Sequence, residues 1–389
     1  MFQAARRNDG RAGLVRMRMS RLSALFAALL FLVGNASVAT PLEKEMRQVE
    51  RLRGLTFLHD VSQRTIDRSQ LRPLIREQLA KSIPYSIDDY IRILGALQLI
   101  DASRSDIVEQ MFKLYDSQVL AFYDPMTHTY FAIRQLPESI AGMGDANALK
   151  ESVVLHELTH ALQDQRFDAA KRDKALQHDT DGELAYHALL EGEATLVMLD
   201  YLLEKTGQSF DQAIKNDALI NALGGAAAEK TIDPATPRYF VEVLKFPYLE
   251  GLKLVAEGYR RGGWKEIDRM EANPPRTTRE LLHPAEYWGR LAKGDKGAAP
   301  FHPAPSPEVL TTERVGEFHW RYLLGDRIDG WVDDRVVVKR DGSVSAETRW
   351  ETPEKAAAFR DAYAQFLRGR GIQPKIATDG ATVTVAYKP

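Results

Sequence analysis

Apolar residues recur at helical spacing through the first part of the chain. Ile91, Leu94 and Leu97 lie three residues apart, and the stretch 42–53 mixes apolar and charged positions with a similar period. A repeat of three to four residues places apolar side chains on one face of a helix. The chain is therefore predicted to be mainly helical from about residue 41 to residue 117.

The period shortens between residues 118 and 133. Short apolar runs at 119–123 and 130–133 flank the sequence Asp124-Pro125-Met126-Thr127. Such runs around Asp and Pro are typical of a β-hairpin. This front hairpin either presents an edge, on 118–123 or 128–133, that pairs with an extended peptide, or it is an ordinary part of a sheet.

A long helix is expected after the hairpin, from Ala146 to about Gln165, with Asp145 as a candidate N-cap. Another long helix is expected from Asp181 to about Lys205. The segment from Thr206 to Phe246 is either a mobile cover over a cleft or a simple connection.

The C-terminal part has a different pattern. The Gly-, Ala- and Pro-rich stretch 291–307 is typical of a linker. Beyond it, Asp341-Gly342 and Asp379-Gly380 each separate two β-rich runs, which predicts two hairpins around a helix starting at Pro353. The predicted fold is α+β and mainly helical, with a large domain at 40–290 and a small α+β module at 308–389.

The first 39 residues are predicted to be a cleaved signal peptide. They contain six Arg, an apolar run from Leu22 to Val33, and small residues before a cleavage site after Ala39. A bilayer span needs about 20 apolar residues, and the run from Leu22 to Val33 has only about 12. This run is therefore interpreted as part of the signal peptide, and no stable membrane span is expected after cleavage. The mature protein would begin at Thr40 and be exported to the periplasm or the extracellular space.

Composition excludes several other classes of protein. The chain is 44% hydrophobic and 27% charged, which is ordinary globular usage. Its net charge of -2 and its lack of Lys/Arg runs outside the N-terminus give no electrostatic basis for binding nucleic acid. It has no Cys, and a protein of this size can fold without disulfides.

The predicted helix at 146–165 carries the candidate chemistry. His156 and His160 are one turn apart, so both imidazoles project from one face, and Glu157 stands beside them. This is the H-E-x-x-H pattern of zinc hydrolases. A catalytic zinc site normally has three protein ligands and an open position for water, so a third ligand is required.

Several residues are candidates for the third ligand. In metzincins the third ligand is a His that follows the motif, which requires Gly at position 163 and His at position 166. This chain has Gln163 and Arg166, so the metzincin class is excluded. His178 follows a charged stretch that resembles a loop. Glu191 lies in Glu191-Gly192-Glu193-Ala194, where an acidic residue is followed by small residues suited to close helix packing. Glu193 is its rival, but lies about 200° around the helix from Glu191.

Over residues 155–195 the chain resembles the gluzincin metallopeptidases, in which H-E-x-x-H is followed by a helix bearing a glutamate ligand. The motifs HELTHALQDQ and EGEAT also resemble a group of exported bacterial proteins. The resemblance implies a zincin-like fold for residues 40–290. It also implies one Zn²⁺ per chain, bound by His156, His160 and Glu191.

The resemblance leaves the surroundings of the metal open. Many gluzincins carry an aspartate four residues after the glutamate ligand, to orient the first histidine, and here that position is Thr195. Asp164 or Glu193 is a candidate carboxylate partner for a ligating histidine. His187 either approaches the metal or is exposed or ion-paired.

An oxyanion donor is also required, and the weaker resemblance over residues 246–287 points to His283. The alternative for His283 is a capping turn, in which Thr278 starts a short helix that Pro284 ends.

The sequence thus predicts an exported metallopeptidase that hydrolyses peptide bonds in a peptide or protein substrate. A zinc-bound water attacks the carbonyl, and Glu157 is the general base. Two alternatives stay open. One is a non-catalytic binding or scaffold protein stabilised by zinc, and the other is a zinc amidase acting on a non-protein amide.

Overall fold

The structure is a computed structural model. It describes residues 40–82, 85–125, 127–135, 146–176, 179–222, 232–297, 299, 301, 304 and 306–389. The predicted signal peptide, Asp145 and His178 lie outside the described residues. The described chain is α+β and mainly helical, as predicted.

Helices and short strands alternate in the first part of the chain. They are β1 (Thr40–Pro41), α1 (Glu43–Arg53), β2 (Ser62–Ile66), α2 (Arg68–Ser82), α3 (Ile87–Ala96), α4 (Ile107–Gln118), β3 (Ala121–Asp124) and β4 (Thr129–Ile133). The prediction of helices is confirmed here. Strand β2, within the stretch predicted as helical, was missed.

Long helices dominate the middle of the chain. They are accompanied by shorter ones: α5 (Ala146–Phe167), α6 (Ala169–Ala175), α7 (Thr180–Lys205), α8 (Phe210–Ala213), α9 (Arg238–Gly262), α10 (Trp264–Ala272), α11 (Thr278–Leu282) and α12 (Pro284–Ala292). The predicted cover segment is thus shorter than expected, because α9 already begins at Arg238. The predicted linker likewise starts within α12.

The final part forms the C-terminal module. Its elements are β5 (Val309–Glu313), α13 (Gly316–Leu324), β6 (Trp331–Lys339), β7 (Val344–Trp350), α14 (Pro353–Arg368), β8 (Lys375–Asp379) and β9 (Thr382–Tyr387). The strands form an antiparallel sheet in the order β5-β6-β7-β9-β8. Both Asp-Gly hairpins are confirmed, and Gly342 and Gly380 have φ values of 85° and 53° that suit glycine.

The first sheet has the order β1-β2-β4-β3. Strands β3 and β4 form the predicted antiparallel hairpin, and β4 also pairs in parallel with β2. The backbone of β4 is therefore used on both sides, and it cannot accept a peptide as an added strand. Strand β3 is at the edge, but all four of its residues are buried. The expectation that 128–133 offers an open edge is wrong.

Helix α7 lies at the centre of the large domain. Every residue from Thr180 to Leu190 is buried, so this half of the helix is covered on all sides, and its polar side chains Asp181, Glu183 and His187 are buried with it. It crosses α9 closely where Gly192 meets Gly251. A Cβ on Gly192 would lie 2.4 Å from the backbone of Gly251. Glycine at position 192 therefore lets α9 approach the helix face next to Glu191.

The C-terminal module is joined to the start of α7 by buried polar contacts. Asp179, the N-cap of α7, accepts hydrogen bonds from the guanidinium of Arg314. Thr180 donates to Glu313 over 2.9 Å. A Cβ on Gly316 would overlap the carboxylate of Asp181. The module therefore packs tightly against the helix that carries Glu191.

Within the described residues, no helix is both long enough and apolar enough to cross a membrane.

Candidate metal centre

Helices α5 and α7 bring three potential metal ligands together. The Nε2 atoms of His156 and His160 are 3.2 Å apart. The Oε2 atom of Glu191 is 3.1 Å from the first of these atoms and 3.6 Å from the second. The three side chains are 11–13% exposed, so the group is mostly buried but keeps some contact with solvent.

These distances are a test of whether the group suits a metal. A tetrahedral zinc ion with bonds of about 2.0–2.1 Å holds its ligand atoms about 3.3 Å apart. The observed separations lie close to this value on all three sides of the triangle. Two imidazole nitrogens and one carboxylate oxygen are also a common donor set for catalytic zinc. The residues present therefore fit the ion.

The hydrogen bonds of His160 also suit a ligand. Its Nδ1 atom is 2.8 Å from Oε1 of Gln163. The amide oxygen accepts only, so Nδ1 carries a proton, and Nε2 is the nitrogen available to a metal on the side of His156 and Glu191.

The electrostatics of the metal-free group reflect three close ionisable side chains. Burial would lower the pKa of His160, but the carboxylates of Glu191 and Glu157 raise it to about 9. Burial would raise the pKa of Glu191, but His160 and His156 hold it well below its usual range. Negative charge at Glu191 thus stabilises positive charge on the imidazole of His160, and a bound cation would take the place of that positive charge.

Glu157 lies next to this group. Its carboxylate accepts a hydrogen bond from the backbone N–H of Tyr123 in β3, over 3.0 Å. Burial raises the pKa of Glu157, and the two histidines oppose the shift. A carboxylate with a raised pKa is the better proton acceptor, which suits Glu157 to general base chemistry.

Tyr248 of α9 is a further site residue, which the sequence did not predict. Its side chain is hydrogen-bonded to Glu191, and its ring lies at 26° to that of His156 with centroids 6.3 Å apart. Burial raises the pKa of Tyr248 well above its ordinary value, as do the charges of Glu191 and Glu157. The phenol is therefore held neutral, with a proton to donate. No local sequence pattern points to Tyr248, because its position depends on the close crossing of α9 and α7 at Gly251.

The structure does not bring His283 into this group. Its Nε2 atom is instead 2.8 Å from Oε1 of Glu317 in the C-terminal module. Thr278 begins the short helix α11, and Pro284 begins α12. The alternative of a turn between helices thus describes His283, and its expected role as an oxyanion donor has no support here.

The predicted carboxylate partners of the histidines are also placed differently. Asp164 accepts hydrogen bonds from the Tyr123 hydroxyl and from the backbone N–H of Ala170. Glu193 forms a buried ion pair with Arg53, over 2.5 Å. Neither carboxylate bonds directly to a histidine of the group, because Gln163 occupies that position next to His160.

Thr195 stands where the resemblance places an aspartate. Its Oγ1 atom and Nδ1 of His156 are both buried without a hydrogen-bond partner among the described residues. The orienting hydrogen bond is thus found on the second histidine of the motif and not on the first.

His187 is ion-paired, which was one of its two expected states. Its Nε2 atom is 2.7 Å from Oδ1 of Asp173, and these residues with Glu183 form a second buried group of potential ligands. Burial would lower the pKa of His187, but Asp173 raises it to about 9. The separation of 2.7 Å is that of a hydrogen bond and is shorter than the spacing of two zinc ligands.

Comparison with known proteins gives one family match. Residues 308–388 match a domain of unknown function, DUF8575, so the match covers the C-terminal module and leaves the metal group outside it. No curated protein and no solved structure matches the chain.

Proposed function

We propose that the protein is a zinc-dependent hydrolase of peptide bonds, of the gluzincin type. His156, His160 and Glu191 would hold the ion, and Glu157 would act as general base. One observation carries the proposal. The two Nε2 atoms and the Oε2 atom of these ligands form a triangle with sides of 3.1–3.6 Å, and the carboxylate of Glu157 lies next to it.

The residues around the triangle have distinct tasks. When bound, zinc supplies a Lewis acid that acidifies water and attracts the carbonyl oxygen of the substrate. Glu157 would accept the proton of the attacking water, which its raised pKa favours, and its carboxyl group would then pass that proton to the more basic leaving amine. The hydrogen bond from the backbone of Tyr123 holds the Glu157 carboxylate in place.

Tyr248 is the candidate donor to the developing oxyanion. Its hydroxyl is neutral and lies beside Glu191, so it can turn from that carboxylate to the substrate oxygen. A donor placed before the reaction stabilises the charge that appears in the transition state. This assignment replaces His283, which lies against Glu317.

The principal alternative is a scaffold in which zinc only joins α5 to α7. A purely structural site has no use for a general base. Glu157 beside the triangle favours the enzyme. A zinc amidase would use the same residues, so the substrate separates it from a peptidase.

The test is turnover of a broad peptide library by the zinc-loaded protein from Thr40 onward, compared with Glu157→Gln. The amide cannot accept a proton, so hydrolysis should be lost while zinc content and unfolding temperature stay unchanged. Equal absence of turnover in both proteins would favour the scaffold. Turnover of non-protein amides alone would favour the amidase. A separate experiment tests the N-terminal segment. If this segment is a signal peptide, a protein expressed from Met1 should be found outside the cytoplasm with its mature N-terminus near Thr40.

A further inference from the structure

A series of buried polar side chains ends at His160. Arg53 Nε donates to Glu193 Oε1 over 2.5 Å. The carboxylate of Glu193 lies against the side-chain amide of Gln163, and Gln163 Oε1 lies 2.8 Å from Nδ1 of His160. Helix α1, more than a hundred residues earlier in the chain, is thereby connected to the candidate metal centre.

The orientation of the Gln163 amide follows from its partners. Its NH₂ group donates to the carbonyl of Leu190, over 3.0 Å, and faces the carboxylate of Glu193. Both of these partners can only accept. A flipped amide would set its oxygen against two other oxygens and its NH₂ group against His160. The amide oxygen therefore faces His160, and Nδ1 of that ring must be the donor.

Burial makes this arrangement rigid. Gln163 and Glu193 are each 1% exposed, and Arg53 is fully buried. Arg53 also donates to Asp268 over 2.7 Å, and its guanidinium lies 4.7 Å from the ring centroid of Trp264. Water cannot readily replace these partners, so the loss of one of them leaves another polar group unpaired.

We propose that Gln163, held by Glu193 and Arg53, is the positioning residue of the metal centre. It fixes the imidazole of His160 with Nε2 unprotonated and directed at the ion. It performs with an amide the task that a carboxylate usually performs for a ligating histidine. The inference rests on the proposed zinc site, and it concerns the affinity of that site.

The first test is the zinc dissociation constant of Gln163→Leu, measured by competition with a chromophoric chelator. Loss of such an outer partner typically weakens metal binding by about 10- to 100-fold, and we expect a loss in this range. The matched control is Gln165→Leu on the same helix. Gln165 bonds to the backbone of Leu58 and His59, so its loss should lower the unfolding temperature of the metal-free protein without changing the zinc constant.

The second test is the double variant Gln163→Glu/Glu193→Gln. It exchanges the carboxylate and the amide, so an acceptor still faces His160 and an amide still lies beside Arg53, although the hydrogen bond to the carbonyl of Leu190 is lost. We expect it to recover most of the affinity that Gln163→Leu loses. Because the exchange keeps the polar groups of the pair, it tests the proposal even where Gln163→Leu does not fold.

The outcomes separate this inference from the proposed function. Failure of the wild-type protein to bind zinc would contradict the metal centre itself. Wild-type binding with an unchanged constant in Gln163→Leu would contradict only the role of Gln163. A double variant that binds about 100-fold more weakly than wild type would contradict it as well.

Discussion

The ring of Tyr248 lies over the imidazole of His156, with centroids 6.3 Å apart, and its side chain is hydrogen-bonded to Glu191. Helix α9 thus adds Tyr248 to the candidate site that α5 and α7 form. The Tyr248 hydroxyl is the proposed donor to the oxyanion, and Phe lacks it. We therefore expect Tyr248→Phe to lower kcat by about 10²- to 10³-fold. Steady-state kinetics on a library-derived peptide would measure this.

Zinc content should be unchanged in Tyr248→Phe, because the phenol is outside the ligand triangle. Tyr259→Phe is the matched control, since Tyr259 lies on the same helix and packs against Phe210 and Trp264. If both variants keep the wild-type kcat, Tyr248 is not the oxyanion donor.

The start of α7, the helix that carries Glu191, should depend on the C-terminal module. Arg314→Met leaves the carboxylate of Asp179 buried without its cationic partner. Loss of one member of a buried ion pair costs about 3–5 kcal/mol, and urea unfolding should show a loss of stability of this size. Arg335→Met, on an exposed position of β6, should change stability by less than about 0.5 kcal/mol. Equal small losses in both variants would mean that the module does not hold α7.

Acid should destabilise the protein through His319. Burial lowers the pKa of His319 from 6.5 to about 4, while its Nε2 atom accepts from the Tyr239 hydroxyl. The unfolded chain then binds a proton at a higher pH than the folded one. The stability from the neutral imidazole is complete above pH 6.5 and is lost as the pH falls through about 4.

Between pH 7 and pH 5 this amounts to about 2 kcal/mol of the free energy of unfolding. His319→Gln has no titrating ring, so its stability should fall by about that much less over the same interval, as measured by urea unfolding at both values. A variant with the full wild-type pH dependence would show that His319 does not carry the effect.

Local patterns predicted much of the candidate site. His156 and His160 share a helix face because their spacing of four residues is close to one helical turn. Glu191 was ranked above Glu193 because the resemblance to the gluzincin pattern aligns Glu191 and because the two residues point in different directions on one helix; the ion pair of Glu193 with Arg53 agrees with that ranking. Both Asp-Gly turns were recognised because their conformations are set by two residues.

Relationships between distant segments were not predictable in the same way. Tyr248 reaches Glu191 only because α9 crosses α7 at Gly192 and Gly251, and no local pattern records that crossing. The sequence Ser62–Ile66 contains few apolar residues, yet it forms β2 through its parallel pairing with β4. Gln163 attracted notice only as a mismatch to metzincins, although its partners make it the neighbour of His160.

The central claim is that α5 and α7 hold one zinc ion through His156, His160 and Glu191. The most direct measurement is the amount of zinc per chain, by elemental mass spectrometry, in the protein from Thr40 onward and in Glu191→Ala. Glu204→Ala is the control, because Glu204 is an exposed residue of α7 paired with Arg51. We expect about one zinc per chain in the wild type and in the control, and little in Glu191→Ala. A wild-type protein without zinc, or a Glu191→Ala variant with a full complement, would contradict the account.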